Sequence, residues 1–248
     1  MFCDAAGVTK AHVFAESWTG FFDDPSDPRE HEVVHRYVDP VTGEQREVKR
    51  ATTFALISRK VCGRCNSGWM SQLEQRVAPL MAAFAENTSM ILNADEQADL
   101  ALWATVASLI AMSLDPEARG FADPTLAPEI YRSRRPTAGI DIWLGANAHG
   151  EMGWFDSHSL NLREASEQRA WGATIQFGYA VIHLMCHDLP DQRIRLKRNA
   201  VRSLRRIWGT RDRVAWPSKL VMRPHDLSPL AMIVGEQCSF ERAVKRVA

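Results

Sequence analysis

Residues 61–74 read VCGRCNSGWMSQLE, and the two cysteines in this stretch, Cys62 and Cys65, limit what the surrounding chain can do. A C-x-x-C turn aims two sulfurs at one point, and a structural site for zinc is tetrahedral and asks for four ligands. The residues ahead of the pair have strand character and those behind it have helical spacing, the setting of a zinc knuckle. A redox pair of the thioredoxin kind belongs to a βαβ unit, and the hairpin pattern upstream does not supply one. Two neighbouring thiols without a metal are the remaining alternative. The other cysteines are Cys3, Cys186 and Cys238. An odd count, with no charged start followed by an apolar run, implies thiols in a reducing, cytoplasmic setting.

The third ligand is expected at Cys3, which opens a similar turn ahead of a strand-like segment. A matching first knuckle would put its partner cysteine one position before Met1. The fourth donor is left open between a residue upstream and His12, His31, His35 or Asp4. A site that no longer binds zinc is the third possibility.

Around the knuckle the chain reads as an α+β protein. HEVVHRYV (31–38) and REVKRATTFALI (46–57) are strand-like and flank a turn with Asp, Pro and Gly, which predicts a hairpin. Trp69, Leu73, Val77, Leu80, Met81 and Phe84 recur at helical spacing, with Asn66 or Ser67 as candidate cap. Asn93 followed by Glu96 predicts a capping box for a second helix over 94–114, apolar almost all round and therefore buried. It is too short and too interrupted by Thr105, Ser108 and Ser113 to span a bilayer, so no membrane partner is expected. From 138 onward GIDIWLGA, MGWFDS and ATIQFGYAVIHLM predict strands, and 226–247 is expected to be helical in part. The division falls near residue 90, into a small metal-type module (1–90) and a mixed α+β domain (91–248) of unassigned role. Cys186 is expected to be buried, with His183 and His187 beside it incidental; Trp103 and the other tryptophans are expected in the core.

The motif VCGRCNSGWMSQLE, together with TKAHVF and SW some fifty residues earlier, resembles the HNH endonuclease superfamily, the ββα-metal nucleases. The likeness is to bacterial and phage members with a C-x-x-C-N-x-G-W-M motif and a long C-terminal extension. It covers residues 1–85 well and the rest only through IWG and VAWPS in 207–218. The resemblance implies an HNH-like ββα zinc-knuckle module in which Cys3, Cys62 and Cys65 hold a bracing zinc. It further implies that His12 is the general base for phosphodiester hydrolysis. Asn66 would lie at a divalent catalytic metal, usually magnesium. Ala11, beside the base, departs from the acid expected there and supplies no ligand to a hard cation. No asparagine between 31 and 60 matches the residue that orients the base, and His31 and His35, among charged neighbours, are expected to be solvated.

The partner expected is nucleic acid, DNA in particular, and no small-molecule cofactor is evident. Thirty basic and thirty acidic residues cancel, so bulk charge cannot drive that contact and a local patch must. Residues 193–213 hold nine Arg or Lys and one acid. On a helix over 199–208, Arg202, Arg205 and Arg206 would share a face, with Arg198 extending it. Such a face either holds phosphates or is simply solvated. The alternative to an active nuclease is a catalytically degenerate zinc-braced module that binds DNA or a protein.

Overall fold

The computed structural model describes residues 1–3, 5–21, 32–38, 44–52, 56–114, 125–160, 170–187, 192–196, 203–210, 212–218, 220–222 and 238–242. Three helices longer than a turn combine with several small sheets, mostly antiparallel, in a mixed α+β architecture. No helix among the described residues is long and apolar enough to cross a membrane.

The first unit is a two-stranded antiparallel ribbon. Strand β1 (Val8–His12) pairs with β4 (Ile57–Cys62), Val8 opposite Cys62 and His12 opposite Ile57, with a bulge between Thr9 and Ala11. A 3-10 turn, η1 (Glu16–Phe21), follows β1. Strand β4 runs into one helical turn, α1 (Gly63–Cys65), then a π-helical turn over Asn66–Met70, then helix α2 (Ser71–Ala85). The predicted helix is therefore present, but its start differs from expectation. Asn66 and Ser67 are inside the helical run rather than at its cap. Cys62 takes the N-cap position, with no side-chain bond to the free N–H groups. Gly68, with φ −99° and ψ −112°, breaks the helical geometry in mid-turn. A wide π turn with a kink is one way a chain keeps two sulfurs turned inward while the helix beyond aims its apolar face at the core.

Helix α3 (Ala94–Met112) has the predicted capping box in full. Asn93 Oδ1 accepts from Asp95 N at 2.9 Å and Glu96 N at 3.0 Å, and Asn93 N donates to Glu96 Oε2 at 2.8 Å. The helix is buried from Leu100 to Met112 on every face, as its lack of a polar side requires. Thr105 Oγ1 donates to Ala101 O and the C-cap Ser113 Oγ to Ile110 O, while buried Ser108 Oγ has no partner among the described residues.

The largest sheet has order β3-β2-β6-β7. Strands β2 (Glu32–Val38) and β3 (Gln45–Thr52) form the predicted hairpin. Strand β6 (Ile140–Leu160) takes in both GIDIWLGA and MGWFDS, and pairs antiparallel with β7 (Ala170–His187) and parallel with β2 at His35–Tyr37. The short β5 (Met90–Leu92) pairs with β10 (Val214–Trp216). Strand β8 (Gln192–Leu196) pairs with β11 (Cys238–Arg242), so helix is replaced by strand at this point of the 226–247 segment. Helix α4 (Leu126–Ser133) packs Leu126, Ala127 and Ile130 inward.

One hydrophobic cluster joins residues from both sides of residue 90. Phe14, Trp18, Met81 and Phe84 share it with Trp103, Phe177 and Trp216. Ring contacts cross the same line: Phe14 lies 5.7 Å from Phe177, Trp18 5.5 Å from Trp103, and Phe84 4.7 Å from Trp216. The α2–β7 contact is close enough to demand glycine. Gly178 has φ +54°, and a Cβ there would stand 2.5 Å from Phe84 O and 2.6 Å from Ala85 Cα.

Candidate metal centre and the His12 recess

The three expected cysteines meet. Cys3 Sγ is 3.2 Å from Cys62 Sγ and 3.4 Å from Cys65 Sγ, and the three sulfurs lie within 4.8 Å of one another. Tetrahedral zinc with bonds of about 2.3 Å holds its sulfurs about 3.8 Å apart, so the two Cys3 distances would each open by about half an ångström to admit the ion. All three are free thiols. Cys62 and Cys65 are buried and Cys3 half-buried. The ribbon makes this possible: Val8 pairs with Cys62, and Gly63 N donates to Gly7 O at 3.3 Å, which folds the N-terminal turn over the knuckle.

The surroundings fit a thiolate site. The backbone N–H of Cys65 lowers the Cys62 pKa, and the Cys3 thiol adds to the effect. Burial pushes the Cys65 thiol up to about 12, so this sulfur needs a cation before it gives up its proton. Trp69 Nε1 is buried without a hydrogen-bond partner among the described residues, and the indole lies close enough to the Cys65 sulfur to lower its pKa. Three clustered cysteines are thus a site that could hold a metal such as zinc, and no other such cluster of three or more ligands occurs among the described residues.

The proposed fourth donors are distributed as follows. Asp4 and His31 lie outside the described residues, as does the side chain of His35, whose backbone is paired within the large sheet. His12 does not join the sulfurs; it belongs to a different recess.

That recess has a volume of about 10 Å³, the size of one water, between His12 on β1, Glu74 and Leu73 on α2, and Trp103 and Ile110 on α3. His12 Nε2 is 3.9 Å from Glu16 Oε2, on the turn that follows β1. Glu74 has no hydrogen bond or ion pair among the described residues, and burial alone pushes its carboxyl up to about 7. Sequence reading missed Glu74, although it closes the motif. The signal was there: it stands one helical turn after Met70, which places it on the same side of the helix.

Asn66 is tied to β1 rather than aimed at His12. Its Nδ2 donates to Lys10 O at 2.8 Å, two residues before the histidine. That bond leaves Oδ1 as the end of the amide available to a ligand. Ala11 is fully buried, its side chain in the core. A carboxylate at that position would be buried with it, so the acids near His12 come from elsewhere, Glu16 and Glu74.

The basic stretch differs from expectation. Arg198 and Arg202 lie outside the described residues. Arg205 and Arg206 form a short strand, β9, against Trp143 and Leu144 of β6, so the expected helix over 199–208 is not present at its C-terminal part. The reason is the partner at hand. Arg206 Nη1 donates to Asp141 Oδ1 at 2.6 Å, and its guanidinium lies 5.3 Å from the Trp143 ring. Asp141 is 4% exposed and needs that cation. Arg205 is exposed. Cys186 is buried, as expected, and His183 and His187 are buried with it. His183 Nδ1 shares a 2.9 Å hydrogen bond with Thr174 Oγ1, and burial lowers its pKa to about 4, so it is neutral and structural.

No family model, no curated protein and no solved structure matches the chain.

Proposed function

We propose that this protein is an HNH-like, zinc-braced module acting on nucleic acid, and that it hydrolyses phosphodiesters at His12. The observation that carries the reading is the shared frame. The ribbon that closes Cys3 onto Cys62 and Cys65 is the same ribbon that ends in His12, and Asn66 bonds across to it. A brace at one end of β1 therefore fixes the position of a half-buried histidine at the other.

The chemistry follows from the side chains present. His12 Nε2 takes a proton from water as the water oxygen bonds phosphorus, and the P–O bond to the leaving oxygen breaks. Glu16, at 3.9 Å, favours the imidazolium that results. The open Oδ1 of Asn66 is the protein oxygen for a divalent cation, which when bound neutralises charge on the phosphate and leaving oxygen.

A second reading has one observation behind it. Ala11 is buried and no carboxylate stands beside His12 on β1, which favours a module that binds nucleic acid without cutting it. Plasmid nicking with Mg²⁺ or Mn²⁺ separates the two. Wild-type protein should nick and His12→Ala should not; nicking that is absent from both, or equal in both, removes the nuclease reading and leaves the binding module.

A further inference from the structure

The expected basic surface is partly spent on Asp141, yet a different one stands beside the knuckle. Helix α4 ends in YRSRRP, and Arg132, Arg134 and Arg135 are all exposed. Arg134 is the decisive residue. Its guanidinium lies 4.4 Å from the Trp69 ring centre and 4.2 Å from that of Tyr131, held between two aromatic faces. Trp69 belongs to the π turn of the knuckle, four residues after Cys65. The stack therefore joins α4 to the metal centre.

Two features mark Arg134 as more than a solvated end of a helix. Its backbone is left-handed, with φ +53° and ψ +34°, at a helix C-cap where glycine would sit without strain. The sequence keeps an arginine there. Stacked guanidinium is also the state in which arginine binds phosphate best, because the rings fix its plane while the N–H edge stays free. None of the three arginines has a carboxylate partner among the described residues, and Glu129 is the sole acid of α4. The exposed charges of the ribbon and knuckle are Lys10, Arg59, Lys60 and Arg64, again without a carboxylate partner among the described residues. In a chain of zero net charge this is a local excess of cations built around aromatic rings.

We infer that Arg134, stacked onto Trp69 of the knuckle, and its neighbours Arg132 and Arg135 form the surface that holds the phosphate backbone of a nucleic acid. This rests on the nucleic-acid part of the proposed function and not on catalysis. Phosphate contacts of this kind position the strand and carry no base specificity. Each contributes a fixed increment to the salt dependence of binding.

The experiment is fluorescence anisotropy with a labelled 20-mer, duplex in one arm and single-stranded in the other, between 50 and 200 mM salt. The proteins are zinc-replete wild type, the triple variant Arg132→Ala/Arg134→Ala/Arg135→Ala, Arg134→Lys, and Arg76→Ala as a charge control. Loss of three phosphate contacts lowers the slope of log K against log salt by about 2.7, so across this fourfold rise wild-type affinity should fall about 40-fold further than that of the triple variant. Arg134→Lys should keep the slope and lose affinity, since it retains charge without the planar stack. Arg76→Ala should track wild type, because that arginine is paired with Asp99 at 2.8 Å. Unchanged affinity and slope in a triple variant that retains its zinc would overturn the inference, as would a wild type that binds neither strand form. Nicking that survives beside unchanged binding removes this surface and leaves the nuclease reading. Arginine-dependent binding without nicking does the reverse.

Discussion

Replacing Glu74 by glutamine tests whether the His12 recess is as dry as its lining implies. Glu74 shares the recess with His12 and with the apolar side chains of Met70, Leu73, Trp103, Val106 and Ile110, and burial moves its pKa from 4.5 to about 7. In the unfolded chain it titrates near the ordinary value. Below pH 4.5 the group is protonated in both states and costs nothing. As pH rises from 4.5 to about 7 the unfolded chain ionises first, and folding stability is lost across that window. Above pH 7 the full cost remains, about 3 kcal/mol as an upper figure, since the carboxyl keeps some contact with water. Glutamine has the same shape and no charge. Urea unfolding of wild type and Glu74→Gln at pH 4.5, 6 and 8 should therefore give nearly equal stabilities at the lowest pH. The variant should be about 2 to 3 kcal/mol more stable at the highest. Zinc is held constant in both, so the acid sensitivity of the thiolates cancels in the comparison. A difference between the two proteins that stays the same at all three values would mean that the carboxyl is hydrated, and the recess reading would fail.

Three further outcomes are expected. Purified protein should carry one zinc per chain by elemental analysis, and Cys62→Ser or Cys65→Ser should lose it along with a large drop in thermal midpoint; metal-free wild type with freely reactive thiols would contradict the cluster. Gly178→Ala should destabilise by about 2 kcal/mol or more in denaturant titration, because it meets Ala85 Cα at 2.6 Å and forces a left-handed backbone; a neutral result would mean that α2 and β7 are not in this contact. Arg206→Ala should cost roughly 2 to 4 kcal/mol by taking the guanidinium from buried Asp141, while nucleic-acid binding and its salt slope stay at the wild-type level; a lost slope with unchanged stability would return Arg206 to the binding surface.

The parts of this protein that were legible in sequence are those governed by neighbours in the chain. The Asn93–Glu96 capping box is a contact between residues three apart, and it is present atom for atom. The helical spacing of Leu73, Val77, Leu80 and Phe84 is likewise local, and those four are buried. Cys3 was also legible, because a turn before a strand echoes the turn at the second knuckle, and β1–β4 pairing does the rest. The misreadings arise where distant partners decide. LRRIW has helical spacing, but β6 offers an open edge and a buried carboxylate at Asp141, and those two long-range contacts draw Arg205 and Arg206 into a strand. Periodicity has no information about an edge sixty residues away.

The same reasoning applies to Ala11. Read as a string, an alanine beside His12 is a ligand lost. Read in the strand, successive side chains point to opposite faces, so a half-exposed His12 requires its neighbour to face the core, where Ala11 is fully buried. A carboxylate near His12 cannot come from that position in this ribbon. It comes from other elements: Glu16 lies 3.9 Å from Nε2, and Glu74 lines the same recess. The strand geometry that buries Ala11 is also the geometry that presents the histidine.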